Sequence, residues 1–328
     1  MRKIPEIGTY AIAFLIILVL IFLLPRMMPG DPLTAICGEE VLVEMTPELR
    51  TELLHRFALD EPLWRQFFVY LTGIMHGDFG YSYYYNAPVL DIILEALPWT
   101  LLLVGSSLLL STVLSIVIGI ESGWRRGKIS DKSLLTTTMI LNGFPNFFIG
   151  IILLLFFAVY LGCLPLQGAK TPYSGLAGIA SMLDIARHLV LPLIALTLAQ
   201  IPGSYLLMRN TMITTLKEPF VRTAKAKGLS EVAVRYKHAG RNAMLPIVTT
   251  TGVRVGIIVT GALFIEIIFS YPGVGLLTYN SLFMRDYPIL QGVFFIVAVF
   301  VILANFVVDL LYTKIDPRIG DDNTEYAH

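Results

Sequence analysis

The chain has 328 residues, equal numbers of basic and acidic side chains at 24 each, 55% hydrophobic residues and only 15% charged ones. Soluble domains carry about 25% charge, which makes a globular enzyme a poor first reading; disorder, collagen and a disulfide scaffold are excluded by the apolar content and the mere two cysteines. Zero net charge gives no reason to expect a nucleic-acid partner.

The hydrophobicity falls in blocks. A helix needs about 20 predominantly apolar residues to span a bilayer, and six stretches qualify: Ile7 to Met28, Leu97 to Ile120, Leu134 to Leu164, His188 to Met208, Ile247 to Phe269 and Ile289 to Tyr312. The first is too long for a signal core, and Pro25-Arg26-Met27-Met28-Pro29 is not a small-residue cleavage site, so it is read as a retained span. Pro29 to Ala96 is acidic and reads as a small external subdomain. Within it Thr46 can cap a helix that starts at Pro47 and carries Leu49, Leu53, Leu54 and Phe57 on one face. The expected organisation is an N-terminal span (1–28), the acidic subdomain (29–96), a transmembrane domain (97–313) and a tail (314–328).

Lys and Arg set the orientation. With the N-terminus cytoplasmic, the inner segments hold sixteen basic and nine acidic residues, the outer ones seven and thirteen. Both termini are therefore expected inside, at a multi-pass cell membrane.

Chemistry-bearing motifs are missing. Gly123-Trp124-Arg125-Arg126-Gly127-Lys128-Ile129 is one residue short of a phosphate-binding loop and ends in Ile, so a basic inner loop explains it better. Zinc-protease and Gly-x-Ser-x-Gly spacings are absent. His55, His76, His188, His238 and His328 are scattered, which leaves no metal set. Cys37 and Cys163 share the outer side, where pairing is one option. Neither catalytic residues nor a cofactor are expected in this chain.

The segment Arg209 to Leu245 is long, basic and patterned. Ala224 and Ala226 lead to Gly228, which suits a short helix ended by a left-handed glycine. Ser230 can cap a second helix, interrupted by Pro246. Helix, glycine turn and helix make a knob; taken alone, the composition of the segment favours a loop that merely sets topology.

Arg222-Thr223-Ala224-Lys225-Ala226-Lys227-Gly228-Leu229-Ser230-Glu231, followed by His238 through Pro246, resembles the cytoplasmic coupling loop of ATP-binding-cassette importer permeases, and within them the dipeptide/oligopeptide/nickel permease family. The same family is matched by Arg26-Met27-Met28-Pro29-Gly30-Asp31-Pro32, Glu266 through Gly275, Arg285-Asp286-Tyr287-Pro288, and Asp309 through Arg318. The Glu of the general Glu-Ala-Ala motif is missing, and Pro246 lies eighteen residues after Gly228, further than in sugar importers; both suit the peptide branch. Gly240 stands where a bulkier residue is expected.

The resemblance implies an all-α, type I permease fold without ATPase activity of its own. Its implied partners are a second homologous permease subunit, two ATPase subunits holding ATP and Mg, an external solute-binding protein and membrane lipid. It further implies that Arg222, Thr223, Ala224, Lys225, Lys227, Gly228, Leu229 and Ser230 meet the ATPase. For the translocation path the candidates are Asn142, Pro145 and Asn146, roughly 12 to 18 Å into the third span at 1.5 Å per residue, together with Arg254. The Asn side chains either line the path or satisfy carbonyls freed by Pro145. Glu266, Pro272, Gly273 and Asp286 are candidates for an external gate. Peptide is the expected cargo, with nickel or metal chelates and oligosaccharides as alternatives within the family. A stand-alone secondary transporter or channel is the reading from another class.

Overall fold

The computed structural model describes residues 7–27, 46–56, 61–82 and 84–315, with side chains within some helices left aside. These residues are almost entirely helical. In chain order they form α1 (Ile7–Met27), α2 (Pro47–Arg56), α3 (Leu63–Met75), a hairpin of β1 (Tyr81–Ser82) and β2 (Ala87–Pro88), then α4 (Val89–Trp124), α5 (Ile129–Asn142) and α6 (Asn146–Leu153). After α6 the helix continues as a π-helical segment, Leu154–Tyr160. Then follow α7 (Ile179–Thr215), α8 (Pro219–Ala226), a second π-helical segment (Ala233–Gly240), α9 (Arg241–Ala243), α10 (Leu245–Ile268), α11 (Val274–Phe283) and α12 (Tyr287–Ile315).

All six apolar windows fall on these helices, but their limits differ from the expected ones. α4 and α7 have 36 and 37 residues and are long and apolar enough to cross a membrane. At 1.5 Å per residue each is roughly 54 Å long, against a hydrocarbon core of about 30 Å. The third window, expected as one span, is two helices bent by 100°. The break has a local cause: Pro145 cannot continue α5, and it takes φ −59 and ψ 146 at the start of α6. The residue before a proline is also pushed out of helical backbone.

The chain divides into two compact units, Met1–Trp99 with Gly273–His328, and Thr100–Pro272. In the first, α1 packs along α12, with Tyr10 edge-on to Phe306 at 5.9 Å. Val89, Ile93 and Ala96 of α4 form a buried cluster with Val274 and Leu277 of α11 and Ile289 and Val293 of α12. The hairpin is tied to the same unit: the Ser82 hydroxyl donates to the buried Asp286 carboxylate. The Thr46 cap is present, its hydroxyl accepting the Leu49 N–H at 3.3 Å.

In the second unit α7 is the central helix, in contact with α5, α6 and α10. Two glycines one turn apart allow α4 to approach α7. A Cβ at Gly119 would lie 2.6 Å from Met208 Cβ, and one at Gly123 would lie 2.8 Å from Met212 Cβ. Along the same pair of helices Ser111 donates to Gln200, which donates to Ser107, at 3.0 and 3.2 Å. Small residues and polar side chains of this kind are what join helices where no hydrophobic force distinguishes protein from lipid.

Several expectations lie outside the described residues: Cys37, Met28 to Pro32 of the first-span motif, Phe57, the Asp316-Pro317-Arg318 end of the tail motif, and the side chains of Leu53, Leu54, Arg254 and Asp309. Among the described residues no group of His, Cys, Asp and Glu is arranged to hold a metal ion, and His188 is buried with its Nδ1 2.8 Å from the Asp184 carbonyl.

Candidate functional site

The basic segment folds as its residues dictate. Pro219 opens α8 at its first helical position, where its missing N–H is harmless. α8 ends at Ala226, and just past it Gly228, with a φ of +73 in the left-handed region, turns the chain while its N–H donates to the Lys225 carbonyl at 3.0 Å. Ser230 then accepts the Ala233 N–H at 3.3 Å and starts the next helical stretch. That stretch is π-helical over Ala233–Gly240, a wider winding than the expected second helix. Gly240 has a steric reason to be small, since a Cβ there would sit 2.8 Å from the Arg235 carbonyl and 2.9 Å from Ile120 Cδ1. Pro246 falls in the first turn of α10, just after the break at Met244 where the second helical stretch ends.

One face of this segment is core. Val221 and Ala224 of α8 are buried with Val234, Ala239 and Ala243 against Ile120, Met208, Met212 and Ile247. The expected contact set is therefore split. Arg222, Thr223, Lys225, Lys227, Gly228, Leu229 and Ser230 are exposed, whereas Ala224, 5% exposed, faces inward. Its small side chain serves the packing of α8 on the rest of the unit.

Sequence reasoning missed what holds the segment. Trp124, the last residue of α4, lies under two cations, with Lys225 Nζ 5.1 Å and the Arg235 guanidinium carbon 4.9 Å from its ring centroid. Arg235 Nη1 is 2.7 Å from Glu121 Oε1, to which the Tyr236 hydroxyl also donates at 2.7 Å. The hydrogen bond to Glu121, then burial, raises the Tyr236 phenol above its ordinary value. Beside this group the Asp131 carboxylate is buried and fully engaged. Arg209 grips both its oxygens (2.6 and 2.8 Å), the Gly127 N–H donates at 2.8 Å, and Ser122, itself bonded to Tyr205, adds its hydroxyl. Counted only as loop charges, Arg209, Arg235, Glu121 and Asp131 gave no signal of pairing. The available signal was the Trp at the junction of an apolar helix and a basic turn.

The path candidates lie at the α5–α6 break. Asn142, Pro145 and Asn146 are exposed there, and among the described residues neither Asn side chain bonds a carbonyl of the break. Glu266 is fully buried and accepts the Thr100 hydroxyl at 2.7 Å. Pro272 is exposed and closes the same unit; Gly273 and Asp286 belong to the other. Tyr271, next to Pro272, has its phenol pushed up to about 12 by burial and by the Glu266 charge.

Asp286 is buried and caps α12 through the Ile289 N–H at 3.4 Å. Burial raises its carboxyl above the ordinary range although Ser82 and that N–H favour the charged form. The native state then holds a proton that the unfolded state, titrating at about 3.9, has lost, so stability falls as pH rises from there through the native value. Asp286→Asn, which keeps the cap, is expected to remove this loss in melting curves taken from pH 4 upward. An unchanged pH dependence in the Asn variant would contradict the assignment. Ser230→Ala is expected to lower stability by about 1 kcal/mol, read as a lower melting temperature of the purified protein. No change in melting would mean that the cap carries no energy.

Long apolar helices that carry a basic helix–glycine–helix segment, one face of it in the core, describe a membrane domain, and comparison with known proteins gives its class. A methionine ABC transporter, MetNI, solved in inward-facing conformations, superposes with a TM-score of 0.54 over 69% of this chain and 97% of that one, at 15% identity. This is the type I ABC importer membrane-domain fold. The family described as "Binding-protein-dependent transport system inner membrane component" matches residues 111–321, and its N-terminal companion matches residues 4–104. The chain belongs to this family of permease subunits, and as such it is not itself an enzyme. Among its relatives are the di/tripeptide transport system permease protein DppB of Pseudomonas aeruginosa, 36% identical over 96% of this chain and 97% of that protein, and the dipeptide permease DppB of Escherichia coli K12, 34% identical over the same shares. The oligopeptide permease AppB of Bacillus subtilis is 34% identical over 92% of this chain and 94% of its own.

Proposed function

We propose that this chain is one of two permease subunits through which an ATP-driven importer passes peptides. An external solute-binding protein delivers the peptide. A second, homologous permease completes the path, and two ATPase subunits, which hold ATP and Mg, drive it. The chain crosses the cell membrane six times with both termini in the cytoplasm, which puts the 209–245 segment on the ATPase side. The observation that carries this reading is the exposed face of α8 and its turn, Arg222, Thr223, Lys225, Lys227, Gly228, Leu229 and Ser230, on a segment whose other face is locked into the core of the unit. A surface loop that only set topology would need no such packing. Peptide as cargo is supported by the names of relatives that match the chain almost end to end.

The Asn142–Asn146 break is assigned to the translocation path together with Arg254, and Glu266 to the outer end of that path. The experiment is uptake into proteoliposomes containing the complete complex, with ATP on the coupling-loop side and the binding protein opposite. Labelled di- and tripeptides are expected to accumulate only with ATP and binding protein present. Accumulation of nickel or an oligosaccharide in place of peptide would overturn the cargo. Uptake by this chain alone without ATP would overturn the class, in favour of a secondary transporter or channel.

A further inference from the structure

The exposed face of α8 meets the ATPase on the reading above, and the present inference rests on it: the movement of α8 must reach a spanning helix to do work. The structure offers a route. α8 itself is only eight residues long and buries two side chains, Val221 and Ala224. Its polar tie to α4 is Lys225 over the Trp124 ring, and the π-helical segment that follows returns to the same ring with Arg235. Glu121, one turn earlier on α4, fixes Arg235 and Tyr236 and also holds Arg125 at 3.2 Å. Elements before and after the Gly228 turn thus converge on one aromatic ring at the end of a long helix.

This clasp has room and reason to rearrange. A cavity of about 360 Å³ lined by Glu121, Arg125, Ser130, Leu134 and Tyr236 borders it. Arg235 Nε is buried without an acceptor among the described residues, which is a cost in the present arrangement. A packed element with two arrangements is what converts a small displacement into a discrete one.

We propose that Trp124 is the positioning residue that passes the movement of α8 to α4, by holding Lys225 and Arg235 on its ring with Glu121 as counter-charge. The binding is an attraction between cations and the electron-rich ring face, which is a property a shape-matched substitute can lose. Incorporating mono-, di- and trifluorinated tryptophan at position 124 of the complete transporter keeps the shape and withdraws charge from the ring. Peptide moved per ATP hydrolysed is expected to fall stepwise with fluorine number. Trp124→Leu is expected to lose roughly tenfold, for two partly exposed cation–π contacts together, with assembly unchanged, and Trp124→Phe to recover most of it.

A fluorine series with constant transport per ATP would overturn the inference, as would Trp124→Phe impaired as badly as Trp124→Leu. Failure of the reading beneath it has a different signature, because a photo-crosslinker at position 227 of the unmodified complex would then leave the ATPase unlabelled whatever the fluorine series shows.

Discussion

Gly228→Pro is expected to abolish peptide uptake while the complex still assembles and the ATPases still turn over. Proline fixes φ near −65°, whereas Gly228 sits at φ +73, and its N–H, which proline lacks, donates to the Lys225 carbonyl at 3.0 Å. The turn that aims α8 and hands the chain to the Ser230 cap cannot form. At roughly 3 kcal/mol for a misplaced proline, the competent turn is reduced by a factor on the order of 100. Gly228→Ala is a milder arm of the same experiment. Nothing lies within 4 Å of a Cβ placed there, so only the left-handed backbone penalty of about 1 kcal/mol applies. Uptake should rank wild type, Ala, Pro, and coupled uptake by the Pro variant at the wild-type rate would contradict the role given to this turn.

The second large effect concerns stability. Arg209 and Asp131 are buried to 14% and 3% side-chain exposure and form a two-point ion pair. Removing one partner leaves a buried charge, which typically costs about 3–5 kcal/mol, a large share of the roughly 5–15 kcal/mol that a domain has in total. Arg209→Met is therefore expected to cut the yield of folded protein sharply and to lower its melting temperature in detergent by roughly 10 °C. The double variant Arg209→Met with Asp131→Asn should recover most of the loss, because no uncompensated charge remains. A single variant as stable as wild type, or a double variant as damaged as the single, would show that the pair does not hold the ends of α4, α5 and α7 together.

The apolar helices are legible in the sequence because their signal is long and repeated: all six windows fall on helices, the third on two. Legible too are the start and stop signals that act over three or four residues, Thr46, Gly228 and Ser230, each of which has its expected geometry. What stays hidden depends on residues distant in the chain. Asp131 and Arg209 are 78 positions apart, and Glu121 and Arg235 are 114 apart; in a count of loop charges they cancel and vanish. The inward turn of Ala224 follows from the helix meeting Ile120 and Met208, not from the alanine itself. Pro145 announced a break, but its angle, 100°, is a matter of packing.

The most direct test of the account is where the exposed face of the coupling segment points. A photo-crosslinking amino acid at position 227, carried in the complete transporter in membranes, is predicted to form an adduct with the ATPase subunit and none with the solute-binding protein. The same probe at position 173, where Tyr173 is fully exposed in the loop before α7, is predicted to leave the ATPase unlabelled. An ATPase adduct from position 173 but not from position 227, or adducts of position 227 with the binding protein, would contradict it.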